Sequence, residues 1–165
     1  MAATVTSKLI VSLTSLLANP VGLAAAQASI DTGLNQPLAA GTGANQCDRV
    51  YSESAKSIAA PYSPDLSGAL LDALGNAFIL ARVRVLLVVA DPTNSGDVIV
   101  GGNANAFLFG SVVAGTVKVK PGGVMLLHAG NTAGYAVVAG TGDILTFTPS
   151  AGTQLFSFAI LGASV

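Results

Sequence analysis

The sequence predicts an all-β fold: an antiparallel β-sandwich, jelly-roll-like, with an extended N-terminal arm. Three observations predict it. The run Phe78–Ala90, FILARVRVLLVVA, is the longest strongly apolar stretch, is rich in β-branched residues and alternates with a period of two. From Asn76 onward, short apolar segments recur every 8–12 residues or so, each bounded by turn chemistry. Only one stretch, Asp65–Leu74, carries a persuasive helical signal.

In the Phe78–Ala90 run, Ile79, Ala81, Val83, Val85, Leu87 and Val89 share one face. That face is wholly apolar and is expected on the core. Phe78, Leu80, Arg82, Arg84, Leu86 and Val88 share the other, which carries two arginines and then turns apolar. The run therefore reads as a central strand, half covered by another element.

At the N-terminus, Thr4–Leu16 alternates Leu9, Val11 and Leu13 against Lys8, Ile10 and Ser12, a strand pattern, with a short helix over Ser12–Asn19 as the alternative. Asn19-Pro20 and Gly22 are expected to stop it. Leu23–Ala28 is Ala-rich and fits helix or extended chain. Ser29–Ala40 reads as extended, and Gly41–Gln46, GTGANQ, as a loop. Residues 1–46 hold too few large side chains for a core of their own. They read as an arm lying on the main domain or exchanged with a neighbour, and residues 47–165 read as the sandwich. Lys8, LIVSLTSLL and Ala26-Gln27-Ala28 together imitate a secretory signal, but the lone late lysine and Ser12, Thr14 and Ser15 argue for mature structure.

Cys47–Ala59 reads as a more polar strand, after which Pro61 and Pro64 limit pairing. Within Asp65–Leu74, Ser67 can cap a short helix, Leu70, Leu71 and Leu74 share a side, and Gly75 ends it. Beyond the central run, strands are expected at Asp97–Val100, Ala106–Phe109, Thr116–Lys120, Val124–His128, Tyr135–Val138, Asp143–Thr148 and Gln154–Leu161. Asp91-Pro92, Gly101-Gly102-Asn103, Pro121-Gly122-Gly123 and Gly140-Thr-Gly142 are among the turns that separate them. A jelly roll ranks first among sandwiches and an immunoglobulin-like sandwich second.

Composition narrows the function classes. Only 9% of residues are charged, against about 25% in ordinary soluble domains. A chain so poor in charge is expected to bury surface against other subunits. The net charge of −1 gives no electrostatic footprint for nucleic acid or a membrane surface. No apolar run approaches the length of a membrane helix, and 5% aromatics with no tryptophan is too little for the girdles of a membrane barrel.

No catalytic constellation is apparent. His128 is the only histidine and lacks partners at motif spacing; Cys47 is the only cysteine. Gly41-x-Gly43 and Gly140-x-Gly142 precede strands rather than helices and read as turns, not phosphate cradles. Asp91, Asp97 and Asp143 do not form a spaced calcium loop. No metal or cofactor is expected, and the chain reads as a structural protein rather than an enzyme. Two basic pairs stand out: Arg82 with Arg84, and Lys118 with Lys120, each on one strand face. In a chain with seven basic residues they read either as solvated faces or as a docking surface.

At GTGANQCDRVY, VKPGGVMLLHAG and YAVVAGTGDILTFTPSAGTQLFSFAILGAS the chain resembles a family of small tailed-bacteriophage virion proteins. The similarity spans roughly Gly41–Val165 and includes IVGGNANAF, the PGG turn and the GTGD turn. Where that family often has an acidic, leucine-rich segment, this chain has PYSPDLSGALLDALG. The resemblance implies a virion structural protein without catalytic residues, and among virion roles a capsid decoration (cement) protein on the phage head surface, assembled in the bacterial host cytoplasm. Its expected partners are itself, as a homo-oligomer with a trimer suggested by threefold lattice positions, and the major capsid protein. The expected interface comprises Leu9, Val11, Leu13 and Leu16, then Ile30, Leu34 and Leu38, and the basic residues Arg82, Arg84, Lys118 and Lys120. The rival readings are a tail, neck or fibre-base component and a carbohydrate-binding sandwich module.

Overall fold

Alternating β-branched and aromatic segments separated by glycine-rich turns leave the chain little choice but strands. The structure, a computed structural model, describes residues 5–21, 24–68, 70–107 and 115–165, with the backbone alone over 16–21 and 24–28. Among the described residues it is all-β, with no helix. The strands are β1 (Ser7–Val21), β2 (Ala24–Ala40), β3 (Gln46–Cys47), β4 (Arg49–Ile58), β5 (Arg82–Ala90), β6 (Val98–Gly101), β7 (Thr116–Val119), β8 (Val124–His128), β9 (Tyr135–Ala136), β10 (Phe147–Pro149) and β11 (Gln154–Ala163).

Two sheets make the sandwich. One has the order β4-β11-β5-β8, with β9 also beside β5; the other has the order β10-β6-β7. Pairing within the body is nested. β4 lies against β11, Tyr62 and Asp65 bridge Phe147 and Ile144, β5 lies against β8 and β6 against β7. First pairs with last, and each inner segment with its mirror along the chain. A third small sheet, β1-β2-β3, lies outside the sandwich.

The main core fills the space between the two sheets. Leu86, Val88, Phe156, Phe158 and Ile160 come from one side, and Val98, Val100, Val119 and Phe147 from the other. Phe147 is central: its ring centroid lies 4.7 Å from Phe156 and 4.8 Å from Phe158.

The central strand is where expected, between β11 and β8, and Val83 faces the core as expected, but from Val85 onward its faces are reversed. Leu86 and Val88 are fully buried in the main core, whereas Val89 is 37% exposed and Leu87 faces outward. The cause is a β-bulge: Leu161 pairs with Val85 and Gly162 with Val83, so Arg84 is the extra residue. Val83 and Leu86 both point into the core, while Arg84 and Val85 both point away from it. A bulge shifts the phase of every later side chain, which strict alternation cannot anticipate. Gly162 makes it possible, because a Cβ there would lie 2.5 Å from the Arg82 carbonyl oxygen.

The strand also starts later than expected, at Arg82 rather than Phe78. Phe78 and Leu80 are buried but extended, donating their amides to the carbonyls of Leu70 and Leu66. Their partners come from the segment expected to be a helix, which is not helical. The Asp65 carboxylate accepts from the Ser67 amide and hydroxyl, and that of Asp72 from the Leu74 and Asn76 amides. These side chains compete for the amides a helix start would use and fold the segment into turns. Of the expected strand Ala106–Phe109, Ala106 makes one bridge to Ile144 and residues 108–109 lie outside the described residues. Asp143–Thr148 is regular only at its end, in β10.

Candidate assembly surfaces

β1 and β2 pair without interruption from Ser7↔Leu38 to Val21↔Ala24, a two-stranded ribbon. With strands of 15 and 17 residues, a rise of about 3.4 Å per residue makes it roughly 50 Å long. A body of this size is only about 35 Å across. The register sorts the ribbon into two faces. Ser7/Leu38, Leu9/Gln36, Val11/Leu34, Leu13/Thr32 and Ser15/Ile30 are opposed pairs on one face, where the apolar residues gather. Lys8/Pro37, Ile10/Asn35, Ser12/Gly33 and Thr14/Asp31 form the other, which holds both of the ribbon's charges.

At the base, the apolar face is buried. Leu38 and Cys47 close over Val85, with Val5, Leu9, Leu126 and Leu161 packed around them, so the ribbon sits on the outer face of the β4-β11-β5-β8 sheet. Toward the tip the same face is open: Leu34 is half-buried, Val11 exposed, and Leu13 and Ile30 are 59% and 58% exposed. Leu16 pairs with Ser29 through its backbone, and its side chain lies outside the described set. The residues expected in an arm interface, Leu9, Val11, Leu13, Ile30, Leu34 and Leu38, thus share one face and divide into a buried base and an uncovered mid-section.

The outer face of the body sheet continues beyond the ribbon base. Registered across it are Ser52, Ala159, Leu87 and Leu126, and then Ser157, Val89 and Val124. Two shallow depressions there share Val89 and Ser157. Val124 is 61% exposed, and none of these outward residues is charged.

The arginine pair does not form a docking stripe. Arg84 is fully buried and donates to the carbonyls of Thr42 (3.0 Å), Gly43 (2.9 Å) and Asn131. Arg82 donates to the Thr132 carbonyl at 2.7 Å. Both arginines therefore hold loops of their own chain, because, with Val83 in the core, alternation puts Arg82 and Arg84 on the face toward the ribbon base. The GTGANQ loop is built for this grip: Gly43 donates its amide to the Gln46 side chain at 2.8 Å, and a Cβ at Gly41 or Gly43 would collide with that same oxygen. Lys118 and Lys120 remain exposed on the other sheet, with Lys120 paired to Asp97 at 3.0 Å. A pair so exposed contributes little to stability.

The chemical candidates are dispersed. Cys47 is fully buried, and burial first of all pushes its thiol pKa up. The buried Nε2 of His128 has no hydrogen-bond partner. Asp91 accepts from Thr93, Asp97 binds Lys120, and buried Asp143 accepts from the Ser67 hydroxyl and the Gly140 amide, so the second glycine pair serves a carboxylate of its own chain. Among the described residues no group of three His, Cys, Asp or Glu side chains is placed to hold a metal ion. Tyr51, Tyr62 and Tyr135 pack against the main core rather than forming an aromatic platform.

One polar cluster was not legible as a unit. Glu53 accepts from the Tyr51 hydroxyl at 2.7 Å and from the Tyr62 hydroxyl, and pairs with Lys56 at 2.8 Å. Lys56 also lies over the Tyr62 ring. Burial raises the Glu53 pKa, but the hydrogen bonds from Lys56, Tyr62 and Tyr51 outweigh it and hold the carboxyl below its ordinary value of 4.5. Burial, then Glu53, pushes the Tyr62 hydroxyl well up. A lowered carboxylate pKa stabilises the fold above the unfolded-state value and loses that contribution as pH falls through the folded value. Glu53→Gln is therefore expected to lower the urea midpoint at neutral pH and to flatten the loss of stability below about pH 4.5, the ordinary carboxylate value. An unchanged acid limb in urea titrations would contradict this role.

No protein-family model matches the chain, and neither a curated protein nor a solved structure matches it significantly.

Proposed function

We propose that the chain is a structural protein of a tailed-phage virion, and within the virion a capsid decoration (cement) protein that self-associates, as a trimer on the head lattice, and binds the major capsid protein. The observation that carries this reading is the amphipathic ribbon, whose apolar face is buried at its base and uncovered at mid-length, at Leu13 and Ile30. A two-stranded ribbon alone is marginally stable in water, so its open mid-section calls for a covering partner. The nested pairing of the body supports a jelly-roll topology, an architecture used in viral capsid and lectin domains. The aromatic residues that a lectin-like site would present are turned into the core. The work of such a protein is bridging: each ribbon adds buried area at a repeated lattice contact, and many weak contacts on one particle sum by avidity.

Excising Leu13–Thr32 and joining Ser12 to Gly33 through an Asn-Gly turn leaves the ribbon base and the body intact. The shortened protein is expected to fold with an unchanged thermal midpoint yet fail to bind particles lacking the native protein. Retained binding in a sedimentation assay would remove the ribbon from the mechanism.

A further inference from the structure

We infer that the exposed apolar mid-section of the ribbon of one copy, at Leu13 and Ile30, docks on the outer face of the β4-β11-β5-β8 sheet of a second copy. This rests on the self-association proposed above and names the surface that receives the ribbon. Continuity carries it. Within one chain, Leu9 and Leu38 on the ribbon's apolar face already pack on Val85, Leu126 and Leu161 of that sheet face. One step further along the same strands, Leu87, Val89, Ala159 and Val124 offer the same kind of surface, with Val89 and Val124 37% and 61% exposed. One step further along the same ribbon face, Leu13 and Ile30 offer the matching apolar residues, 59% and 58% exposed.

The two surfaces fit chemically. The ribbon's charges, Lys8 and Asp31, both lie on its opposite face, so the ribbon brings no ion into the contact, while Glu53 and Asp91 are the carboxylates lining the two receiving depressions. Small side chains, Ser52, Ser157 and Ala159, run between Leu87 and Val89 and the sheet edge, leaving shallow depressions for larger ones. The ribbon is longer than the body is wide, so it has the length to reach a second copy. A ribbon-to-sheet contact joins two different patches, and such heterologous contacts close into rings, the trimer among them.

The test uses purified full-length chains without particles, followed by light scattering after gel filtration. Val89→Arg with Val124→Arg closes the sheet face; Leu13→Asp with Ile30→Asp closes the ribbon's apolar mid-section. All four positions are exposed, so both variants are expected to keep the wild-type thermal midpoint and strand signature. The wild type is expected to self-associate and each variant alone to be monomeric. Mixed together, the two variants are expected to form a 1:1 complex, because one supplies the only working ribbon and the other the only working face. A monomeric wild type, or a sheet-face variant that associates like the wild type, overturns the inference. Loss of association in both variants without recovery on mixing also overturns it. Particle binding by the sheet-face variant as tight as wild type would leave the virion reading standing while this contact fell.

Discussion

Phe147→Ala is expected to cost about 4 kcal/mol of folding stability, the largest effect of any single truncation in the molecule. Phe147 is fully buried, and its ring touches the two phenylalanines of β11 that face it across the sandwich. Its backbone exchanges hydrogen bonds with Tyr62, at 2.9 and 2.8 Å, and pairs with Val100 on the other side. The residue thus joins three segments far apart in sequence, and a hole at that point has no flexible neighbour to collapse into it. For a chain of this length the melting temperature should fall by roughly 8–16 °C. Phe147→Leu, which keeps most of the volume, should lose much less. Equal losses for the two variants would contradict the central packing role.

Arg84→Met is expected to cost about 3 kcal/mol, by a different route. Methionine keeps the bulk of the side chain but donates no hydrogen bond, so the carbonyls of Thr42, Gly43 and Asn131 lose their shared donor. Those loops are only partly covered, which places each carbonyl near 1 kcal/mol, the lower end of the range for an orphaned group. The guanidinium finds no carboxylate here, and burial lowers its pKa. Its value lies in the three-way fork, so Arg84→Lys should rescue only part of the loss. The damage should be local. Amide exchange should rise over residues 41–46 and 130–134, where the loops are held, while β11 and the far sheet stay protected. Uniform loss of protection would show instead that Arg84 supports the whole sandwich.

Strand character was legible because alternation and turn residues are local signals. Val124–His128 was placed at its observed bounds, and Gln154–Leu161 within two residues of them. What alternation could not carry was the bulge at Arg84. The Leu161/Gly162 register shift depends on a close approach between strands far apart in sequence, so the core face of β5 from Val85 onward was assigned to the wrong side. The helix expected at Asp65–Leu74 failed for a similar reason. Its leucines have helical spacing, but Asp65 and Asp72 capture the amides at its start and end. The strand at Leu9, Val11 and Leu13 and the extended Ser29–Ala40 were visible, but β1 runs on through Asn19-Pro20 to Val21, past the expected stop, and the union of Leu9, Val11 and Leu13 with Leu34, Leu38 and Ile30 on one face required the hairpin register. The open sheet face left only a weak trace, serines and alanines alternating with core aromatics in Phe156–Ala159.

The most direct measurement of the proposed virion role is the copy number of this chain in purified virus particles from its source, by quantitative mass spectrometry against their major capsid protein. A lattice-wide decoration role predicts a ratio of the same order as the capsid protein. A ratio of a few per cent or less, or complete absence from particles, would contradict it.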